Sequence, residues 1–83
     1  MEIRYLGYFA GFLTVSSFLP QVVRAWRTKR TTDLSLATFA LLITASTLWM
    51  FYGAWNRDWP VVITNAGMVV LNGMLAVAKY RFK

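Results

Sequence analysis

The amino-acid sequence predicts an all-α membrane protein, in which a single bundle of three transmembrane helices accounts for residues 1–83. Of the 83 residues, 58% are hydrophobic and only 14% are charged, whereas a soluble globular domain carries about 25% charged residues. So short a chain would bury too small a fraction of its surface to hide that much apolar area in a soluble core. The few charged residues also leave three long uncharged runs. Together these observations predict helices that face lipid.

The three uncharged runs have the length of membrane-spanning helices. They cover residues 5–23, 34–56 and 59–78. Because an α-helix rises about 1.5 Å per residue, about 20 residues cross the roughly 30 Å hydrocarbon core. The first run is longer than the apolar region of a secretory signal peptide, and no A-x-A-like cleavage site follows it. We therefore expect it to remain as a span.

The basic residues are distributed unequally along the chain. The first connector and the C-terminal tail hold Arg24, Arg27, Lys29, Arg30, Lys79, Arg81 and Lys83, whereas the N-terminus and the second connector hold Arg4 and Arg57. Because loops rich in Lys and Arg stay in the cytoplasm, we predict that the N-terminus is outside the cell membrane and the C-terminus inside. Aromatic residues near the boundaries are predicted interfacial anchors: Tyr5, Tyr8, Tyr52, Trp55 and Trp59 on the outer side, Trp26, Tyr80 and Phe82 on the inner side.

Several classes of function lack the residues that they require. The chain has no Cys and no His, so it holds neither disulfides nor the common zinc ligand sets. We predict no metal, no cofactor and no enzymatic active site. The net charge of +6 is concentrated at the ends of the spans, and no basic face indicates nucleic-acid binding. Ionisable groups inside spans mark ion coupling, and their absence here predicts passive movement of a neutral solute.

Pro20 lies within or at the inner end of the first span. Its ring clashes with the Ser16 carbonyl four residues earlier and it has no backbone N–H, so the helix should bend or loosen there. The hydroxyls of Ser16 and Ser17 could hydrogen-bond to the freed carbonyls. This residue has three possible roles. It could form a static kink, it could mark the end of the helix, or it could be a hinge on which the inner half of the helix swings.

Two amides and one indole lie where lipid would penalise them. Asn65 and Asn72 are two helical turns apart, so they share one face of the third span. A side-chain amide is costly in hydrocarbon and should face protein or a wet cavity. For Asn72 we expect a hydrogen bond between helices, and for Asn65 a ligand contact. Trp49 lies in the second span, where its N–H needs a partner; a sugar ring could stack on it, and packing as an ordinary aromatic is the alternative.

Gly7 and Gly11 form a G-x-x-x-G spacing that lets two helix backbones approach closely. Association of chains is also required on geometric grounds. The centre of a three-helix bundle is filled by side chains, so a solute path needs at least two copies.

The order of motifs resembles the SemiSWEET sugar transporters of the PQ-loop group. The resemblance covers essentially the whole chain. Its elements are Pro20-Gln21 in the first span, a basic connector followed by Ser35, and then Trp49, Tyr52, Asp58 and Asn65. It implies a SWEET-type repeat whose third helix lies between the first two. It also implies a parallel homodimer around a central cavity, with an axis along the membrane normal.

The resemblance also implies roles for individual residues. Trp49 matches the sugar-stacking Trp of the family, and Asn65 its hydroxyl-binding Asn. The outer gate would comprise Tyr52, Arg57 and Asp58, and the inner gate or hinge Pro20, Gln21 and Phe39. At the outer gate the sequence departs from the family, because related sequences often place the gate Arg two residues before the Asp, where this chain has Asn56.

The expected function is facilitated transport of a neutral mono- or disaccharide by alternating access. The expected partners are the sugar, a second copy of the chain and the lipid bilayer. One alternative is a PQ-loop transporter of another metabolite, such as an amino acid, although a zwitterionic cargo would favour a charge in the cavity. The other is a small structural, pore-forming or regulatory membrane protein, for which Trp49 and Asn65 would have no special role.

Overall fold

In the computed structural model, which describes residues 3–82, the protein consists of three long α-helices. Helix α1 spans Ile3–Thr28, α2 spans Leu36–Trp55 and α3 spans Trp59–Phe82. All three are long and apolar enough to cross a membrane, which confirms the predicted fold class. Lys83, which entered the predicted charge pattern, lies outside the described residues. The orientation across the membrane stays a prediction; following it, we call the end with Ile3 and Trp59 the outer end and the end with Thr28 and Phe82 the inner end.

Helix α1 continues through Pro20 without interruption. The reading in which the helix ends at Pro20 is therefore wrong. Ser17 Oγ donates to the Thr14 carbonyl at 2.7 Å, and not to the Ser16 carbonyl whose usual donor Pro20 lacks. The Ser17 hydroxyl is therefore not the donor to the freed carbonyl, a role that the sequence allowed it.

Local chemistry sets the helix ends. α1 ends where Lys29 takes a left-handed backbone (φ 58°) and its N–H donates to the Ala25 carbonyl at 2.9 Å, which satisfies one of the last carbonyls of the helix. α2 begins at the N-cap Ser35, whose side chain accepts from Thr38 N at 3.3 Å. In α3, Pro60 lies in the first turn, where the backbone N–H that it lacks would have no helical partner.

Helix α3 is the central element of the chain. It packs against both α1 and α2, while α1 and α2 make no direct backbone contact within residues 3–82. This order confirms the arrangement that the resemblance implied. The Cα atoms extend over 45 × 21 × 13 Å, so the chain is long and flat. Such a shape leaves broad faces open on both sides and encloses no passage.

Glycines set the close packing of the outer halves of α1 and α3. A Cβ added to Gly7 would lie 3.0 Å from Pro60 Cβ, and one added to Gly67 would lie 3.1 Å from Val15 Cγ2. A Cβ on Gly11 would collide with Thr64 Oγ1. The G-x-x-x-G spacing therefore brings two helices of one chain together.

The best-buried side chains lie in the inner half of the bundle. The core consists of Val22, Ala25, Phe39, Leu71, Leu75 and Ala78. Many large apolar residues of all three helices are exposed instead, as expected of surfaces that face lipid or another membrane protein. The inner half is thus held by conventional packing, whereas the outer half relies on close backbone approach.

Candidate functional site

A groove of about 680 Å³ lies between α1 and α3 at the outer end of the bundle. Its walls come from the first half of α1, the α2–α3 turn and the first turns of α3. The polar residues that line it are Arg4, Thr14, Asn56, Arg57, Asp58, Thr64 and Asn65. Three predicted site residues, Asn65, Arg57 and Asp58, therefore meet in one groove.

Asn65 presents a hydrogen-bond acceptor on the wall of this groove. Its Nδ2 donates to the Val61 carbonyl at 2.8 Å, four residues earlier on α3. This bond fixes the amide plane and leaves Oδ1 without a partner within residues 3–82. The side chain is half-buried. A half-buried carbonyl oxygen without a partner is suited to accept a hydrogen bond from a hydroxyl group.

Trp49 and Tyr52 form an aromatic pair on α2. Their ring centroids are 5.5 Å apart and their planes lie at 89°, an edge-to-face contact. Both are largely exposed, Trp49 by 54% and Tyr52 by 61%, and they line a shallow depression of α2 with Ala45 and Leu48. The depression does not include Asn65, so one chain alone does not bring the predicted indole and amide into a single cavity.

The turn that joins α2 to α3 is closed by two backbone hydrogen bonds and carries the predicted gate charges. Arg57 N donates to the Ala54 carbonyl at 3.1 Å and Asp58 N to the Gly53 carbonyl at 2.7 Å, the pair of bonds of a Schellman cap. Arg57 occupies its left-handed position with φ 57°. Glycine adopts this conformation without penalty, whereas other residues pay roughly 1–2 kcal/mol. Arg57 therefore lowers the stability of the turn relative to a glycine at this position.

Asp58 also has a structural role. It immediately precedes α3, and its Oδ1 accepts from Val61 N at 3.4 Å, the position of an N-cap. The carboxylate stabilises the start of α3 whatever else it does. Any test of Asp58 as a gate residue must separate its charge from this cap.

Of the three residues predicted at the inner gate, two are exposed and one is buried. Pro20 and Gln21 are exposed on α1, and Pro20 lines a groove of about 720 Å³ on that helix with Arg24 and Arg27. Phe39 is only 7% exposed and belongs to the core between the helices. In this conformation, then, Phe39 is a packing residue.

The expectation that Asn72 bonds to another helix is wrong. Asn72 is fully buried, and its Nδ2 donates to the Met68 carbonyl of its own helix at 2.9 Å. Its Oδ1 has no hydrogen-bond partner among the described residues 3–82. The amide reaches the carbonyl four residues earlier, as in Asn65, because that acceptor is always within range on the same helix face.

A cluster at the inner end was not foreseen from the sequence. Trp26, expected only to anchor the interface, donates from Nε1 to the Met74 carbonyl of α3 at 3.1 Å, and its ring meets Phe82 edge-to-face at 5.3 Å. Lys79 Nζ donates to the Thr31 carbonyl at 2.7 Å, which ties the first connector to α3. We call Trp26, Met74, Phe82, Thr31 and Lys79 the inner clasp. Trp26 and Phe82 both lie at span ends, and their positions in the sequence do not distinguish interfacial anchors from two rings that contact each other.

The described residues contain no cluster of His, Cys, Asp and Glu that could hold a metal ion. The charged side chains of the helices lie within two turns of their ends. What remains towards the middle is an amide acceptor, threonine hydroxyls and aromatic faces. Such a set can bind hydroxyl groups and stack on apolar ring faces, and it offers no nucleophile activated by a base.

Comparison with known proteins gives concordant results. The model of the PQ loop repeat family matches residues 3–62. A protein of Leptospira biflexa named as the sugar transporter SemiSWEET is 42% identical over 60 residues, which are 72% of this chain and 71% of that protein. A protein of the same name from Bradyrhizobium diazoefficiens is 30% identical over 80 residues, 96% of this chain and 93% of that protein.

Solved structures show the same fold. A bacterial homologue of SWEET transporters has a TM-score of 0.91 at 32% identity, with 96% of both chains covered. A SemiSWEET structure in the inward-open conformation has a TM-score of 0.86 at 29% identity, covering 94% of this chain and 91% of that one. The chain therefore belongs to the PQ-loop repeat family and, within it, to the SemiSWEET proteins.

Proposed function

We propose that this protein transports a neutral sugar across the cell membrane, as a parallel homodimer that alternates between outward-open and inward-open states. The relatives described above are named as sugar transporters, and sugar is the cargo that the chemistry of the two candidate surfaces favours. The observation that carries the proposal is that one flat chain presents two separate surfaces: an exposed indole on α2, and on α3 an amide oxygen without a partner within residues 3–82.

The shape of the chain supports a dimer. With Cα extents of 45 × 21 × 13 Å, one copy is little more than a layer of helices. Two copies facing each other across an axis along the membrane normal would enclose a passage between them. In that arrangement the Trp49 depression and the Asn65 groove would each occur twice around the passage.

The proposed recognition of sugar uses two kinds of contact. The exposed face of Trp49 offers an apolar plane on which the C–H face of a sugar ring stacks. The Oδ1 of Asn65 accepts a hydrogen bond from a hydroxyl, while the amide itself stays oriented by its bond to the Val61 carbonyl. Neither contact involves a charge, which suits a neutral cargo.

The gates would lie at the two ends of the passage. At the outer end, Tyr52, Arg57 and Asp58 would close the passage in the inward-open state. At the inner end, Pro20 would let α1 flex, with Gln21 and Phe39 contributing to closure. Phe39 leaves its place in the core only if the inner half of the bundle repacks. Its contribution to the gate therefore requires a larger rearrangement than that of Pro20 or Gln21.

Transport in this proposal is uncoupled. Helix α2 carries no charged residue, and the charges of α1 and α3 lie towards their ends. Proton or ion coupling in membrane transporters relies on ionisable groups within the spans. Net flux of sugar should therefore follow its gradient and be unaffected by proton ionophores.

The test is uptake of a radiolabelled sugar into proteoliposomes that contain the purified protein, with unlabelled monosaccharides, disaccharides and amino acids as competitors. We expect saturable uptake that sugars inhibit. Trp49→Ala and Asn65→Ala should each lower it by about tenfold or more, since a lost contact of about 1.4 kcal/mol is already a tenfold change in affinity.

Trp55→Ala is the matched control. Trp55 lies on the same helix as Trp49 and is 89% exposed, so its loss should alter anchoring and leave uptake largely intact. Size-exclusion chromatography must show equal dimer for all variants. Unchanged uptake in both Trp49→Ala and Asn65→Ala would rule out the proposed binding site, and inhibition by amino acids alone would assign a different cargo.

A further inference from the structure

The outer mouth of the α1–α3 groove contains three charged side chains from two separate segments. Arg4 comes from the first turn of α1, and Arg57 and Asp58 come from the α2–α3 turn. The other residues that line the groove are uncharged. Arg57 and Asp58 were predicted gate residues, whereas Arg4 had been counted only for its effect on topology.

The packing register places Arg4 beside the turn. Helices α1 and α3 run parallel, and three contacts match their residues along the groove: Gly7 with Pro60, Gly11 with Thr64, and Val15 with Gly67. Arg4 lies three residues, or about 4.5 Å, outward of Gly7. Three residues before Pro60 the chain reaches Arg57 in the α2–α3 turn, and Asp58 follows it directly before α3. Arg4 therefore lies beside the turn that carries both, and all three side chains line the groove.

Arg4 and Arg57 differ in what a pair with Asp58 would join. Arg57 shares a turn with Asp58, closed by the bonds to Ala54 and Gly53. An ion pair between Arg57 and Asp58 would tie that turn only to itself. Arg4 belongs to α1, so its pair with Asp58 would tie the outer end of α1 to the start of α3.

Asp58 has an oxygen available for such a pair. Its Oδ1 accepts from Val61 N, and Oδ2 has no partner within residues 3–82. No ion pair joins Arg4, Arg57 and Asp58 in this structure, in which the groove remains between α1 and the turn. Arginine is long enough to reach across such a gap and binds carboxylates with a rigid fork of donors.

We propose that Arg4 is a positioning residue of the outer mouth: by pairing with Asp58 of its own chain, it draws the outer end of α1 onto the α2–α3 turn and narrows the groove. This inference rests on the proposed function, because it assigns to Arg4 a part in the outer closure of the passage. It also leaves Arg57 available to the second copy.

The chain has no Cys, so a single introduced cysteine can report how open the groove is. Thr14→Cys places a thiol in the groove, one helical turn inward of Gly11. Its rate of reaction with a membrane-impermeant maleimide, added outside right-side-out vesicles, measures access through the outer mouth. The measurement does not depend on sugar uptake, so a failure of the proposed function would show in uptake and leave the labelling result intact.

The charge variants are Arg4→Gln, Asp58→Asn and Arg57→Gln in the Thr14→Cys background. Asp58→Asn keeps an acceptor for the helix cap, so it removes only the charge. We expect Arg4→Gln and Asp58→Asn each to speed labelling about threefold, as the loss of one exposed ion pair implies. Their combination should be no faster than either alone. Arg57→Gln should show no such coupling to Asp58→Asn.

A charge-conserving variant supplies the decisive control. Arg4→Lys keeps the positive charge and leaves the cap of α3 by Asp58 untouched, so it should retain most of the slow labelling that Arg4→Gln loses. A merely structural role of the arginine side chain would not be rescued by lysine. The proposal is overturned if the effects of Arg4→Gln and Asp58→Asn on the labelling rate are additive. It is also overturned if the effect of Asp58→Asn is coupled to Arg57→Gln and not to Arg4→Gln.

Discussion

The substitution Gly11→Ala tests how the two parallel helices of this chain are held together. A Cβ at Gly11 would collide with Thr64 Oγ1 and lie 3.1 Å from Thr64 Cβ. Either Thr64 must change its rotamer or α1 must move away from α3. Gly73→Ala is the matched control, because a Cβ at Gly73 has no atom within 4 Å.

The control isolates the cost of the collision. Both substitutions replace a glycine inside a helix with alanine, which by itself favours the helix by about 1 kcal/mol. That gain cancels when the two variants are compared. What remains is the overpacking at Gly11, typically about 1–3 kcal/mol. Gly11→Ala should therefore unfold with a free energy lower than that of Gly73→Ala by this amount.

The assay is equilibrium unfolding in mixed micelles, with increasing denaturing detergent and circular dichroism as the readout of helix content. A second variant locates the effect. Adding Thr64→Ala to Gly11→Ala removes Oγ1 and should recover at least half of the loss. Equal stability of Gly11→Ala and Gly73→Ala, or no recovery with Thr64→Ala, would refute the reasoning that this contact sets the distance between α1 and α3.

Three further predictions use the same unfolding measurement. Asp58→Ala should lower the free energy of unfolding by about 0.5–2 kcal/mol, because it removes the N-cap of α3, whereas Asp58→Asn should leave it nearly unchanged. Equal losses in the two variants would show that Asp58 does not stabilise α3 as an N-cap. Asn72→Leu should be no less stable than the parent chain, because it removes a buried oxygen that has no partner within residues 3–82. A loss above about 2 kcal/mol would show that Oδ1 makes an essential contact. Trp26→Phe keeps an aromatic ring and removes only the bond to the Met74 carbonyl, so it should cost about 0.5–1.5 kcal/mol; an unchanged midpoint would mean that this bond contributes nothing.

The number and type of the helices follow from the sequence because the bilayer imposes a length. Uncharged runs of about 20 residues between charged ones leave few other arrangements. The helix ends are less predictable. α1 extends past Arg24 to Thr28, because charges mark where hydrocarbon ends and the helical backbone continues through the interface, up to the left-handed turn at Lys29.

Side-chain partners were the least predictable feature. The spacing of Gly7 and Gly11 indicates a close helix contact but does not say which helix is the partner, and the structure places α3 of the same chain there. The position of Asn72 indicates a buried amide but not its rotamer. For Trp26, an interfacial anchor and a half-buried residue hydrogen-bonded to a neighbouring helix have the same sequence signature. These side-chain contacts depend on which helix packs against the residue, and the local sequence does not determine which helix that is.

The inner clasp has a consequence for how α1 can move. The segment that follows Pro20 is fastened to α3 through the Trp26–Met74 bond and the Phe82 ring contact. The part that precedes Pro20 contacts α3 through close packing at glycines, with no hydrogen bond between the two helices in that part of the described chain. A bend at Pro20 therefore leaves the inner part of α1 bound to α3, so the rotation falls on the outer part of α1 and must loosen its glycine contacts with α3.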